Sequence, residues 1–183
     1  MHINSFRYLG FLITVILFGC SSTLEYPKKW EPIDRQSTTD CKFISGVYLN
    51  SDETVVGRGP SKLTRVLHKQ GQIVSDFHSV KIEFDQNLHL IISGITKPDA
   101  TPLQLSVIRN YECKNGALEF EFSSVTSGDN VVGMGSSKRR LFKSGNYLVV
   151  ETDESGVGIV LLIPVVASAN YWYRFPKIDS NNK

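Results

Sequence analysis

The stretch Cys113-Lys114-Asn115-Gly116-Ala117-Leu118-Glu119-Phe120-Glu121-Phe122 decides the fold class of this 183-residue chain. Leu118, Phe120 and Phe122 alternate with Glu119 and Glu121, and a period of two puts the apolar set on one face of a strand. Asn115-Gly116 is a two-residue hairpin turn, because both residues tolerate positive φ. One strand therefore ends near Lys114 and the next returns beside it, antiparallel.

The same period recurs on both sides of this hairpin. Val80, Ile82 and Phe84 alternate with Lys81 and Glu83, and Leu88, Leu90 and Ile92 resume after Asp85-Gln86-Asn87. Pairing Phe84 with Leu88 across that turn would set His89 opposite Glu83 on the wet face. Leu103, Leu105 and Val107 alternate with Gln104 and Ser106. Gly145-Asn146 marks another hairpin, between residues 139–143 and 147–152. With that turn, Arg140 falls opposite Glu151 and Lys138 opposite Asp153. A last strand is expected at 170–175. Residues 61–70 break the rhythm, with Leu63, Val66 and Leu67 at helical spacing between Pro60 and Gly71. The expectation is a mostly β domain, an antiparallel barrel or sandwich of about eight or nine strands with one short helix.

Three segments invite a functional reading. The cluster Lys138-Arg139-Arg140 with Lys143 could bind an anion, but the register just given satisfies it with acids on a solvated face. Residues 123–137 form the longest glycine- and serine-rich stretch, and read as a loop that could carry a contact surface. Val157 to Val166 is the most apolar stretch beyond the N-terminus. It is too short, and broken by Pro164, to be a membrane helix. It reads as a strand buried on both faces, or as a cavity wall or docking patch. In the last strand Tyr171, Tyr173 and Phe175 share one face, so Trp172 on the other hints at a contact surface or cavity. His68, His78 and His89 have no metal-ligand spacing, and no nucleophile motif is present. The expectation is a protein without catalytic residues, metal site or cofactor.

The N-terminus carries an address. Residues 1–7 are short and polar with one firm positive charge, Arg7, and Tyr8 to Phe18 is apolar apart from Thr14. That run is too short to cross a bilayer, and fits a cleaved secretory signal. It ends in Leu17-Phe18-Gly19-Cys20, which resembles the lipobox of bacterial lipoproteins. The resemblance implies a signal peptide at 1–19, a diacylglyceryl thioether and an acylated amine on Cys20, and attachment to the membrane by several chains. Ser21 after the cysteine implies an outer-membrane address facing the periplasm. Residues 20–40, with Pro27, Pro32 and a polar run, read as a flexible tether beyond the acylated cysteine. Two placements are open for Tyr26 and Trp30, against a lipid surface or docked on the domain. Residues 41–183 are then a single β domain.

Removing Arg7 from the 20 basic residues leaves 19 against 18 acidic ones, a net of +1. Such a balance offers no electrostatic case for nucleic acid. In an oxidising compartment the isolated pair Cys41 and Cys113 reads first as a disulfide, tying the first strand of the domain to one in its middle.

Cys41-Lys42-Phe43-Ile44-Ser45-Gly46-Val47-Tyr48 resembles the opening of the globular part in small envelope lipoproteins, and its Gly-x-Tyr is similar to the Gly-x-Trp of lipocalin-like barrels. Two functions follow as expectations. One is a non-catalytic interaction module of the cell envelope, in assembly or maintenance, with another envelope protein as partner. The other is a lipocalin-like carrier of a small apolar ligand.

Overall fold

The computed structural model describes residues 20–34, 40–51, 54–56, 61–68, 76–128 and 131–178. The signal expected at 1–19 lies outside them.

Eleven strands and one short helix are described. β1 (Cys20–Ser22) is followed by a 3-10 turn (Cys41–Ile44), β2 (Gly46–Leu49), β3 (Thr54–Val56) and the helix α1 (Leu63–Leu67). Then come β4 (Ser79–Phe84), β5 (Leu90–Ile95), β6 (Leu103–Ile108), β7 (Glu112–Lys114), β8 (Ala117–Gly128), β9 (Val131–Ser144), β10 (Tyr147–Val160) and β11 (Ile163–Pro176). They form a four-stranded sheet, β2-β4-β5-β6, and a seven-stranded sheet, β1-β11-β10-β9-β8-β7, in which β3 also pairs with β11. Among the described residues neither sheet closes on itself. The arrangement is sandwich-like, and no closed barrel is found among the described residues.

The core lies where the two sheets face each other. Val80, Ile82, Leu90 and Ile92 of the smaller sheet meet Leu118, Leu141, Leu148, Val150, Tyr173 and Phe175 of the larger one. Leu63, Val66 and Leu67 of α1 and Ile44 of the 3-10 turn complete it. Tyr48 sits inside this core, and its hydroxyl donates to the Ile44 carbonyl at 2.7 Å. Burial pushes that phenol's pKa well up, since the charged form has no water there. Cys41 and Cys113 are joined as a disulfide, with Cα atoms 5.8 Å apart. It ties the 3-10 turn before β2 to β7, rather than two strands.

Turn chemistry fixes most registers. Asn115 and Gly116 have φ of 53° and 73°, and β7 and β8 pair from Lys114–Ala117 outward. Gly145, at φ 54°, turns β9 into β10, and Arg140–Glu151 and Lys138–Asp153 face each other as the turn requires. The β4–β5 connection differs from the expectation. Phe84 pairs with Leu90, not Leu88, and Ile91 rather than His89 stands opposite Glu83. Asp85 is the cause. Its carboxylate accepts from the backbone N–H of Asn87 and of His89, both at 2.8 Å, and lies 2.9 Å from His89 Nδ1. This side-chain-to-backbone turn closes a longer loop than a tight hairpin would.

Residues 23–34 of the segment read as a tether pack on the domain, and 35–39 lie outside the described residues. Trp30 is buried with Phe142, Val149 and Trp172, and Leu24, Tyr26 and Ile33 pack against them. Trp172 Nε1 donates to the Leu24 carbonyl at 2.9 Å, and Ser144 Oγ to that of Glu31 at 2.9 Å. Tyr26 meets both Trp30 and Trp172 edge-on, and the Arg174 guanidinium lies over Trp30 and Tyr147. Residues 23–34 thus form a third layer on the outer face of the large sheet. Trp172 is explained by this cover, and needs neither a cavity nor a partner.

Candidate functional site

The long strands of the large sheet outrun every layer that covers them. Directly paired residues of neighbouring strands share a face, and successive residues alternate faces. Along the outer face, Phe142, Val149 and Arg174 form one row, under residues 23–34. Next comes Glu119-Arg140-Glu151-Trp172, then Glu121-Lys138-Asp153-Asn170. A row of four serines follows, Ser123, Ser136, Ser155 and Ser168. Beyond it lie two largely apolar rows: Val125, Met134, Val157 and Val166, then Ser127, Val132, Ile159 and Pro164.

These last rows have no cover among the described residues. Val125 is 77 % exposed and Met134 66 %, and Val132, Val157, Ile159 and Val166 are each more than half or half exposed. The reverse face carries small side chains or none: Ser124, Gly135, Gly156 and Ala167 in one row, Thr126, Gly133, Gly158 and Val165 in the next. Gly133 and Gly158 are direct partners, and a Cβ on Gly158 would stand 2.8 Å from the Val132 carbonyl oxygen. The backbones therefore approach closely there, and the extension is thin.

Two sequence readings are corrected here. Residues 123–137 are not a loop. Apart from 129–130, outside the described residues, they continue β8 and β9. Serine and glycine have poor strand propensity, but pairing with β10 overrides it. Residues 157–166 are not a strand buried on both faces. They form the end of the β10–β11 hairpin, which turns at Leu161 and Leu162. These two residues take φ of 48° and 69°, the left-handed region that Asn and Gly favour, and Leu162 is 94 % exposed.

The rows behind the extension are strongly charged, and their ion pairs run between neighbouring strands, although Arg140 Nε and Asn170 Oδ1 are buried without a hydrogen-bond partner. Arg140 reaches Glu151 at 2.8 Å, also contacts Asp153, and lies 4.0 Å from Glu119. Lys138 bridges Glu119. Arg139, on the other face, is buried, donates from Nε to the Val66 carbonyl at 2.7 Å and lies 3.6 Å from Glu154. So the basic cluster does not form a single solvated face. Its middle member is a bolt between β9 and α1. An open groove of about 520 Å³ runs along Tyr111, Glu112, Glu119, Phe120 and Lys138, and a shallower one of about 300 Å³ crosses the glycine rows. Among the described residues no cluster of three or more His, Cys, Asp or Glu could hold a metal ion.

Among the described residues Glu151 is the one carboxylate whose pKa is raised. Burial is the main cause, and Asp153 and Glu119 add to it, against the Asn170 hydrogen bond and the Arg140 charge. Between the ordinary carboxylate range and that raised value the folded protein binds more protons than the unfolded chain. Stability contributed by Glu151 is therefore present at low pH and lost as pH rises through the raised value. Asp85 acts in the opposite sense. The His89 backbone N–H holds its pKa down, so its contribution is lost as pH falls. Replacing Glu151 by glutamine leaves the Asp85 effect unchanged. Relative to wild type, the urea midpoint of Glu151→Gln is expected to rise as pH increases from the ordinary carboxylate range through the raised value. A constant difference across that range would refute the assignment.

The fold and site define a largely antiparallel, sandwich-like β domain with a thin, apolar sheet extension. No family model matches the chain, and no curated protein or solved structure is significantly similar to it.

Proposed function

We propose that the protein is a bacterial envelope lipoprotein, held to a membrane through acylated Cys20, and that it acts as a non-catalytic interaction module in envelope assembly or maintenance. Its address on this reading is the outer membrane, facing the periplasm. The observation that carries the reading is the extension itself. It is apolar and bare, while the charged groups behind it are paired with one another. A surface of that kind is suited to contact rather than proton transfer. The lipobox resemblance at Leu17-Phe18-Gly19-Cys20 supplies the anchor. β1 begins at Cys20 and lies on β11, so acylation there would hold the sandwich close against the bilayer instead of on a long tether.

Replacing Cys20 by alanine tests the anchor. Metabolic labelling with palmitate should disappear, and the protein should move from the alkaline-resistant membrane fraction to the soluble envelope fraction. Undiminished, alkaline-resistant membrane association of Cys20→Ala would count against acylation as the anchor.

A further inference from the structure

We propose that the end of the β10–β11 hairpin, around Leu161 and Leu162, is a second membrane contact that enters the hydrocarbon of the leaflet holding the acyl chains. This rests on the proposed acylation of Cys20 for its position, but not for its chemistry.

The turn is the first argument. Where this chain turns in solvent between β7 and β8 it uses Asn115-Gly116 at positive φ. At the end of β10 it places two leucines in the same conformation, against their backbone preference, and leaves Leu162 almost fully bare. The surroundings make the second. Residues 155–169 contain no charged side chain. Val157, Ile159 and Val166 are exposed on one face of the hairpin and Val165 on the other, so the tip is apolar all round. A groove in a protein partner needs one apolar face; hydrocarbon accepts both.

Position is the third argument. Cys20 pairs with Ala167 on the outer side of β11. The anchor therefore lies beside the leucine hairpin, and β9 and β8 follow on the side of β10 away from it, ending level with Val160. Leu162 is five residues beyond Ala167, roughly 17 Å along an extended strand. Half of a bilayer core is about 15 Å. With Cys20 at the head-group level, a tilted hairpin reaches one leaflet deep and no further. Unpaired backbone groups at a sheet edge are costly in lipid. That edge is short here, and it holds Pro164, which has no N–H to leave unpaired.

The test uses the full acylated chain, purified and reconstituted into vesicles of phosphatidylethanolamine and phosphatidylglycerol. A single cysteine is introduced at the bare tip, Leu162→Cys, and labelled with an environment-sensitive fluorophore. Leu103→Cys, exposed on the other sheet, is the reference. The tip label should shift to the blue and be quenched by nitroxide lipids, and the reference label should do neither. Water-like emission at the tip overturns the proposal. So does a blue shift without lipid quenching, which would mean burial against a second copy or a protein partner. Mass spectrometry of the same sample reads acylation separately. Acyl chains with a water-exposed tip would sink the hairpin and keep the anchor, while a quenched tip without acyl chains would do the reverse.

A second variant separates membrane contact from folding. Leu161→Asn with Leu162→Gly supplies the residues the turn conformation favours. It should raise the urea midpoint of the protein in solution. A label at Ile159→Cys should be quenched by lipid in the wild-type background and lose that quenching in the Asn-Gly variant. Undiminished quenching there would also overturn the proposal.

Discussion

Removing the Cys41–Cys113 bridge is expected to cost about 2–4 kcal/mol of folding stability, the largest effect of any single covalent change in this chain. The two cysteines are 72 residues apart in sequence. A loop of that size loses much of its freedom in the unfolded chain when it is closed, about 4 kcal/mol in the chain-entropy limit. The bridge also holds the 3-10 turn, whose Ile44 is fully buried, against the start of the β7–β8 hairpin. A Cys41→Ser/Cys113→Ser double variant should unfold at clearly lower urea than wild type, and reduced wild type should follow it. If oxidised and reduced protein had the same midpoint, the bridge would contribute nothing to the fold.

The second large effect is expected at Arg139, where alanine should cost about 3 kcal/mol. That is the lower end of the range for breaking a buried charged contact, because Glu154 keeps some access to water. Arg139 is 3 % exposed. Its loss would leave the Val66 carbonyl of α1 without its 2.7 Å donor and remove the Arg139 contact from Glu154. For a chain of this size the melting temperature should fall by roughly 6–12 °C. Arg139→Met keeps the aliphatic stem and should lose less. Lys138→Ala, next in sequence but with an exposed ion pair to Glu119, should cost about 1 kcal/mol or less. Equal losses at 138 and 139 would mean that Arg139 is not the bolt described above.

The contrast between Lys138 and Arg139 also shows what could be read in the sequence. Gly145-Asn146 fixed the register of β9 on β10 in advance, because a two-residue turn leaves the strands no freedom to slip. Arg140–Glu151 and Lys138–Asp153 follow from it. The same alternation sends Arg139 to the opposite face. What it meets there, a carbonyl of α1 from 73 residues earlier, is a non-local fact. The Asp85 loop failed for a local reason. An aspartate that captures two backbone N–H groups makes a longer connection than the sequence spacing suggests.

The extension was the least legible part. A run such as Val157 to Val166 carries the composition of a buried strand, and composition does not say whether a second layer exists to bury it. The serine and glycine residues at 123–137 carry the composition of a loop, yet their backbone groups are taken up by neighbouring strands. Trp172 posed the converse problem. Its place on the outer face was readable, but its cover by Leu24, Tyr26 and Trp30 was not.

The sequence by itself determined the antiparallel strand class, the short helix, two hairpin registers and the pair of cysteines available for bridging. These depend on period, turn residues and composition, which act over a few residues. Tertiary structure alone decided that the sheets stack as an open, sandwich-like pair, that residues 23–34 become a third layer, and that no other described residue covers the ends of β8 to β11. Alternation gives every strand two faces. Which face is covered depends on elements far away in the chain, and on how far each of them reaches.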